Sequence, residues 1–377
     1  MSVNLSGPAV EPVPQISEWT QRLNAIARQP LALCPDFPRI AQRWEAWWEG
    51  QSLDRPIFIG SANTNPNRPI TRRLDLLHRP EEWFAAKLAD MTQQARAGEA
   101  LPHIRVDFGP VLIGSLLGGR TEIGADTTWT HTMIQEDWSN APHALQLDHP
   151  WWKLLRELLD RVTADAAGNY LVCTPDLGGS ADVLLNLRGS SELCLDVVEK
   201  PDVVRSAVEA IYPAWRTTWI ELYRRTVERG AGVIHWLLMW SNQPYMIPAC
   251  DFNFMIGPAE FELLLPDIAR QSATAQRAVF HLDGPGAARH VEALLEVPHI
   301  RAIQFTPGEG TPSALAWVDM FKLIQSRGRS VYVFCPAHEV IELSKALKPG
   351  GLAIHVTGIQ SPQHLSSLYD DLQRSFA

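Results

Sequence analysis

From Gly168 onward, apolar and polar positions fall into two alternating rhythms. Short β-rich runs bounded by Gly, Pro or Asp have the look of buried strands, and the stretches between them repeat apolar residues every three or four positions, as helices do. The strand-like runs are "NYLVCTPDLGG", ending at Asp176, then "GVIHWLLMWS", "RAVFHLDGPG", "IRAIQFTPGEG", "SVYVFCPAH" and "LAIHVTG". Among the helical stretches, "PDVVRSAVEAIYPAWRTTWIELYRRTVERG" sets Val204, Val208, Ile211, Trp215, Trp219 and Leu222 on one face. In "GPAEFELLLPDIARQ" Pro266 should kink or split the helix. The last helix opens with Ser361 as N-cap and Pro362 at its first position.

Six strand–helix units in succession require a parallel sheet, because crossovers of this length carry a helix. No Gly-rich nucleotide fingerprint follows any strand, which weighs against a dinucleotide-binding open sheet. A (β/α)8 barrel needs two more strands. "DRPIFIGSA" (54–62) and the "VLIGSLLGG" region near Val111 are the candidates. The expected fold is therefore α/β, a (β/α)8 TIM barrel with an N-terminal helical, Trp-rich extension. Residues 1–50 form the arm and helical cap, and residues 51–377 the barrel. No internal repeat or linker marks a second domain.

Composition narrows the function. The formal net charge of −9 over 377 residues, with no Lys/Arg-rich block, argues against a nucleic-acid partner. No apolar run approaches the ~20 residues of a membrane span. The N-terminus lacks the basic and apolar regions of a secretion signal and reads as a mobile arm. Five dispersed cysteines without CxxC spacing fit a reducing compartment, so a cytoplasmic protein without disulfides is expected. Fourteen tryptophans, among them Trp129, Trp138, Trp151, Trp152 and Trp240, suit either the packing of a large core or an aromatic-lined pocket.

In such a barrel the site lies at the C-terminal ends of the strands. There the sequence places Asp176, then His281 and Asp283, then Gln304, Thr306 and Glu309, then Cys335, then His355 and Thr357. His281 and Asp283 are two apart, so they share one strand face, and a Gly-Pro-Gly turn follows at once. Such a pair can bind a metal, act as acid and base, or clamp a ligand. His235 in its apolar run reads as a core group or as one deeper in the barrel. Cys335 reads as a small buried hydrophobe rather than a thiolate. His281, Asp283 and Asp176 are the candidate catalytic residues. Arg188, Asp251, Asn253, Trp240 and Gln304 are the candidate substrate-binding residues. Arg188 either clamps a carboxylate or pairs with Asp182. Asp107 in "VDFGP" is a further candidate, or an ordinary capping acid.

"TPDLGGSADVLLNLRGSSELCLDVVEKPDVV", "CDFNFMIGPAEFELLLPDIARQ" and "FHLDGPGAARHVEALLEVPHIRAIQFTPGEG" resemble segments of the uroporphyrinogen decarboxylase superfamily, the last of them its corrinoid-methyltransferase-like branch. The resemblance runs from about Pro102 onward. It implies a (β/α)8 barrel with its cleft at the strand C-termini. Uroporphyrinogen decarboxylases themselves carry an N-terminal Met-Arg-Gln-Ala-Gly-Arg-Tyr motif that clamps propionates. Here that region reads "RPIFIGSANTNPNRPITRR", with Arg72 and Arg73 but not the motif, so porphyrinogen decarboxylation is rejected. The zinc-dependent methyltransferases of the branch hold zinc with His-x-Cys and a later Cys. Here the pair is His281-x-Asp283, and the later position offers His355 and Thr357.

An His281/Asp283/His355 set is thus the implied metal site, for zinc or another divalent ion, with hard ligands suited to activating water or an oxygen-bearing substrate. The resemblance implies methyl transfer from a small methylated substrate to a corrinoid carried only on a partner protein. The aromatic surplus would suit a quaternary ammonium group. Two other readings stand beside it. One is a metal-dependent lyase or hydrolase with Asp176, Asp251 or Glu309 as base; the other is a non-catalytic small-molecule binding protein. A homodimer is expected by analogy with the superfamily.

Overall fold

The computed structural model describes residues 5, 9–141, 144–308, 310–311 and 313–377. The expected N-terminal mobile arm falls largely on residues 1–4 and 6–8, and Glu309 is a single position; all of these lie outside the described residues. The strands are β1 (Ile57–Asn63), β2 (Gln94–Gly98), β3 (His103–Arg105), β4 (Thr121–Ile123), β5 (Thr128–Thr130), β6 (Leu171–Cys173), β7 (Val233–Ile234), β8 (Ala278–Asp283), β9 (Ile300–Thr306), β10 (Ser330–Pro336) and β11 (Leu352–Thr357). One sheet runs β2-β1-β11-β10-β9-β8 and a second runs β3-β6-β7; β4 and β5 form a separate hairpin. Every pairing in the two larger sheets is parallel except β2 against β1.

The chain is thus a mixed α/β protein built on parallel strands. Among the described residues no ladder joins the two larger sheets into a closed ring. The local cause is visible on both flanks. β3 and β7 are only three and two residues long. The place beside β8 is taken by the segment 246–249, through single bridges Met246–Ala278 and Ala249–His281.

Two sequence expectations change here. "GVIHWLLMWS" is not one long strand. Only Val233–Ile234 is extended, and the chain then reverses through Leu238, at φ +63°. It crosses the interior, where the Tyr332 hydroxyl donates to the Leu237 carbonyl at 2.6 Å. The run is mostly apolar because most of it is buried without being extended, not because it is a strand. "VLIGSLLGG" forms the short helix Leu112–Leu116, and the strand is β3, a few residues earlier. Pro266 does split its helix, into Pro258–Glu262 and Leu265–Ala275. The Ser361 hydroxyl caps the helix Pro362–Phe376 by accepting from His364 N–H.

The helix Phe37–Trp48 covers the N-terminal ends of the strands, forming a floor. Trp47 Nε1 donates to the Val331 carbonyl, Ser330 Oγ to the Trp47 carbonyl, and Trp48 Nε1 to the Trp240 carbonyl. Trp19, Trp44, Trp47, Trp215, Trp219 and Trp240 are all buried, in the same core as the strands. Glu99, fully buried at the end of β2, accepts from Arg43, both terminal nitrogens of Arg55, and Phe58 N–H. Arg277, just before β8, pairs with Glu45 and Glu49.

Candidate functional site

The register sets one face of the larger sheet. Val279, His281 and Asp283 on β8 align with Ala302, Gln304 and Thr306 on β9. Tyr332 and Phe334 on β10 align with Ala353 and His355 on β11. Side chains two apart share a face, so polar groups collect where β8 and β9 end.

His281 is the centre of this group. Its Nδ1 lies against Gln304 Oε1. Gln304, fully buried, is itself held by donating from Nε2 to Thr306 Oγ1 at 2.9 Å. With the proton on Nδ1, the lone pair of Nε2 faces the cleft, where Asp251 Oδ1 lies 3.7 Å away. Trp236 meets the imidazole edge-on, its ring centre 4.9 Å away. Asp251, His281 and Asp283 each offer a ligand atom, and these atoms lie within 4.8 Å of one another.

Local backbone explains why three acidic or basic groups can meet here. Gly284 follows Asp283 at φ +77°, a turn that L side chains resist. A Cβ on Gly286 would lie 2.6 Å from the Phe254 ring. The missing side chains let the turn Asp251–Met255 sit directly over the end of β8. On its other flank, Asp182 accepts from Phe252 N–H at 3.0 Å and Gly179 N–H at 3.4 Å. A Cβ on Gly179 would lie 1.8 Å from the Ala249 carbonyl oxygen. Asp182 therefore bolts the loop that carries Asp176 to the turn that carries Asp251.

Asp251 is reachable by solvent, with 52% of its side chain exposed, and the rest is set beside His281. Burial raises its carboxyl above the ordinary value; His281 opposes the rise, and Asp283 and Asp176 add to it. Burial, reinforced by Asp251, holds Asp182 well above the carboxylate range. Asp176 accepts from Gly178 N–H and lies within the field of Arg72 as well as of Asp251.

The other candidates are placed as follows. His355 is apart from the Asp251/His281/Asp283 set, on the β10–β11 part of the larger sheet, with Nδ1 2.8 Å from the Tyr332 hydroxyl; burial pushes its pKa down to about 4. Trp240 lies on the floor, opposite the cleft, because the chain reverses after β7. Arg188 points away from the cleft and pairs with Asp196, not Asp182, while donating to the Ile134 carbonyl and lying over Trp138. Asn253 is buried, and its side-chain amide has no hydrogen-bond partner among the described residues. His235 is a core group bound to Thr174 and Tyr245, its pKa lowered to about 4 by burial. Cys335 is buried, its thiol pushed up to about 12. Asp107 is buried and paired through both oxygens with Arg72, at 2.7 and 2.8 Å.

Trp236 escaped the sequence reading, and Asp182 entered it only as a possible partner of Arg188. Trp236 neighbours the noted His235, but only the reversal after Ile234 turns it toward His281. No helix among the described residues is long and apolar enough to cross a membrane.

No family model matches the chain, and no curated protein is similar to it. Among solved structures, a methyltransferase from Methanosarcina mazei superposes with a TM-score of 0.60. The match covers 90% of this chain and 99% of that one, at 14% sequence identity. The likeness is one of fold.

Proposed function

We propose that this chain is a uroporphyrinogen-decarboxylase-like enzyme that takes a methyl group from a small substrate and delivers it to a corrinoid on a separate protein. In this reading the two sheets are arcs of one (β/α)8 barrel. The observation that carries it is the Asp251, His281 and Asp283 group at the strand C-termini, on a backbone that follows a methyltransferase over most of its length.

Two carboxylates and an imidazole fit a small divalent ion such as zinc, and Gln304 supplies the outer hydrogen bond that orients a ligating histidine. Bound there, the ion would act as a Lewis acid toward a substrate heteroatom. The residues themselves do the rest. His281 presents the Nε2 lone pair. As the methyl–heteroatom bond breaks, its electron pair stays on the heteroatom and the methyl carbon passes to the corrinoid nucleophile. Asp251, as a carboxylate, would complete the donor set with His281 and Asp283, and the heteroatom takes its proton from solvent at the open mouth. Asp182 keeps Asp251 in place.

The test compares wild type with His281→Ala, by elemental mass spectrometry and by methyl transfer to a free corrinoid. One metal per chain and methyl transfer, both lost in the variant, are expected. Methyl transfer that survives His281→Ala would end this reading. A metal-dependent lyase or hydrolase is the second reading, favoured by a donor set that contains no cysteine. It is recognised by turnover without any methyl acceptor.

A further inference from the structure

We propose that the β3 side of the cleft is an anion seat, and that the substrate carries a carboxylate or similar anionic head group held there by Arg105. This rests on the reading of the cleft as the substrate site. Arg105 is the last residue of β3, at the mouth end, with 29% of its side chain exposed. Its Nε is buried without a hydrogen-bond partner, and its guanidinium donates none among the described residues. A partly buried guanidinium left this way is costly unless something pairs with it.

The nearest carboxylate cannot serve. Asp107 stands 3.6 Å from Arg105, but both its oxygens are taken by Arg72, and one also accepts from Gly109 N–H. Lys87 approaches the same group and donates only to the Thr71 carbonyl. Burial lowers its pKa to about 8; Asp107 and Asp90 oppose the shift, and Arg105 and Arg72 add to it. Lys87, Arg72 and Arg105 thus share a region whose acids are already engaged, Asp107 by Arg72 and Asp90 by Arg68 at 3.3 Å. A carboxylate would meet the free fork of Arg105 with two parallel hydrogen bonds.

The seat stands beside Asp107 and Arg72, on the Asp176 flank of the His281 group. Arg72 feels Asp176, and Asp176 is felt by Asp251. A substrate anchored by its anionic end at Arg105 would turn its other end toward Asp251 and His281. A quaternary ammonium ion without an anionic group would leave Arg105 unanswered.

Saturation-transfer NMR on the full chain tests this with acetate, methanesulfonate and methylphosphonate, each read through its methyl protons, and with tetramethylammonium as the cationic control. Wild type should bind the anions, and the three together tell planar from tetrahedral head groups. Arg105→Gln should weaken binding about tenfold or more, and Arg105→Lys should retain part of it. His281→Ala should leave anion binding in place, so failure of the methyl-transfer reading would not touch this result. Undiminished binding in a folded Arg105→Gln protein, or binding of tetramethylammonium alone, would overturn the proposal. So would the absence of anion binding in wild type.

Discussion

The two ends of the parallel strands both gather ionisable groups, and they do so in opposite ways. On the floor each acid faces a base: Glu99 is enclosed by Arg43 and Arg55, and Arg277 by Glu45 and Glu49. At the mouth acids crowd acids: Asp251 lies in the fields of Asp176 and Asp283, and Asp182 in those of Asp251 and Asp176, with His281 opposing them beside Asp251. Pairing of the first kind holds a fold together. Crowding of the second kind raises proton affinity and leaves donor atoms free, which is what a reaction or a ligand needs. The mouth gives up stability for that readiness, and the floor does not.

The largest effect that would break the comparison lies on the floor. Glu99→Gln leaves Arg43 and Arg55 short of a counter-charge and should cost about 3–5 kcal/mol in urea unfolding. A loss under about 1 kcal/mol would mean the floor pairs are as dispensable as surface ones.

Asp267, buried in the helix behind Asp182, gives the opposite sign. Burial raises its pKa from 3.8 to about 7. Below about pH 4 the group is protonated whether the chain is folded or not. Between about pH 4 and 7 the unfolded chain releases its proton first, so stability falls as pH rises; above that the penalty is complete. Asp267→Asn should therefore be neutral near pH 4 and stabilising near pH 8, by at most about 4 kcal/mol. A variant destabilised equally at both pH values would refute the raised pKa of Asp267.

The smallest effect sharpens the view. Gln304→Ala empties a fully buried position and should cost about 1–2 kcal/mol in urea unfolding; under the metal reading proposed above it should also weaken zinc binding about 10- to 100-fold in calorimetry, because His281 loses the partner that orients it. Unchanged affinity would make Gln304 a packing residue.

Much of the larger sheet was legible in the sequence, because β8 to β11 are predominantly apolar runs closed by Gly, Pro or Asp. β3 was not, since three residues with a polar face at His103 and Arg105 leave no run to see. The reversal after Ile234 hid behind a sequence that is apolar for a different reason. In the site, the two-residue spacing of His281 and Asp283 put them on one face in advance. Asp251 was visible only as a polar residue in a loop, and its approach depends on a contact with Asp182 across 70 positions. No local pattern encodes such a contact.

One tie on the floor also bears on how the chain is made. β1 pairs on one side with β11, and Arg55 donates to the Tyr369 hydroxyl, 314 positions away. While the ribosome is still extending the chain, β1 has only β2 beside it, and its other edge stays open. That edge is the surface a chaperone would have to shield until β11 emerges, and a ribosome stalled before Leu352 would leave it as the first place for two nascent chains to stick.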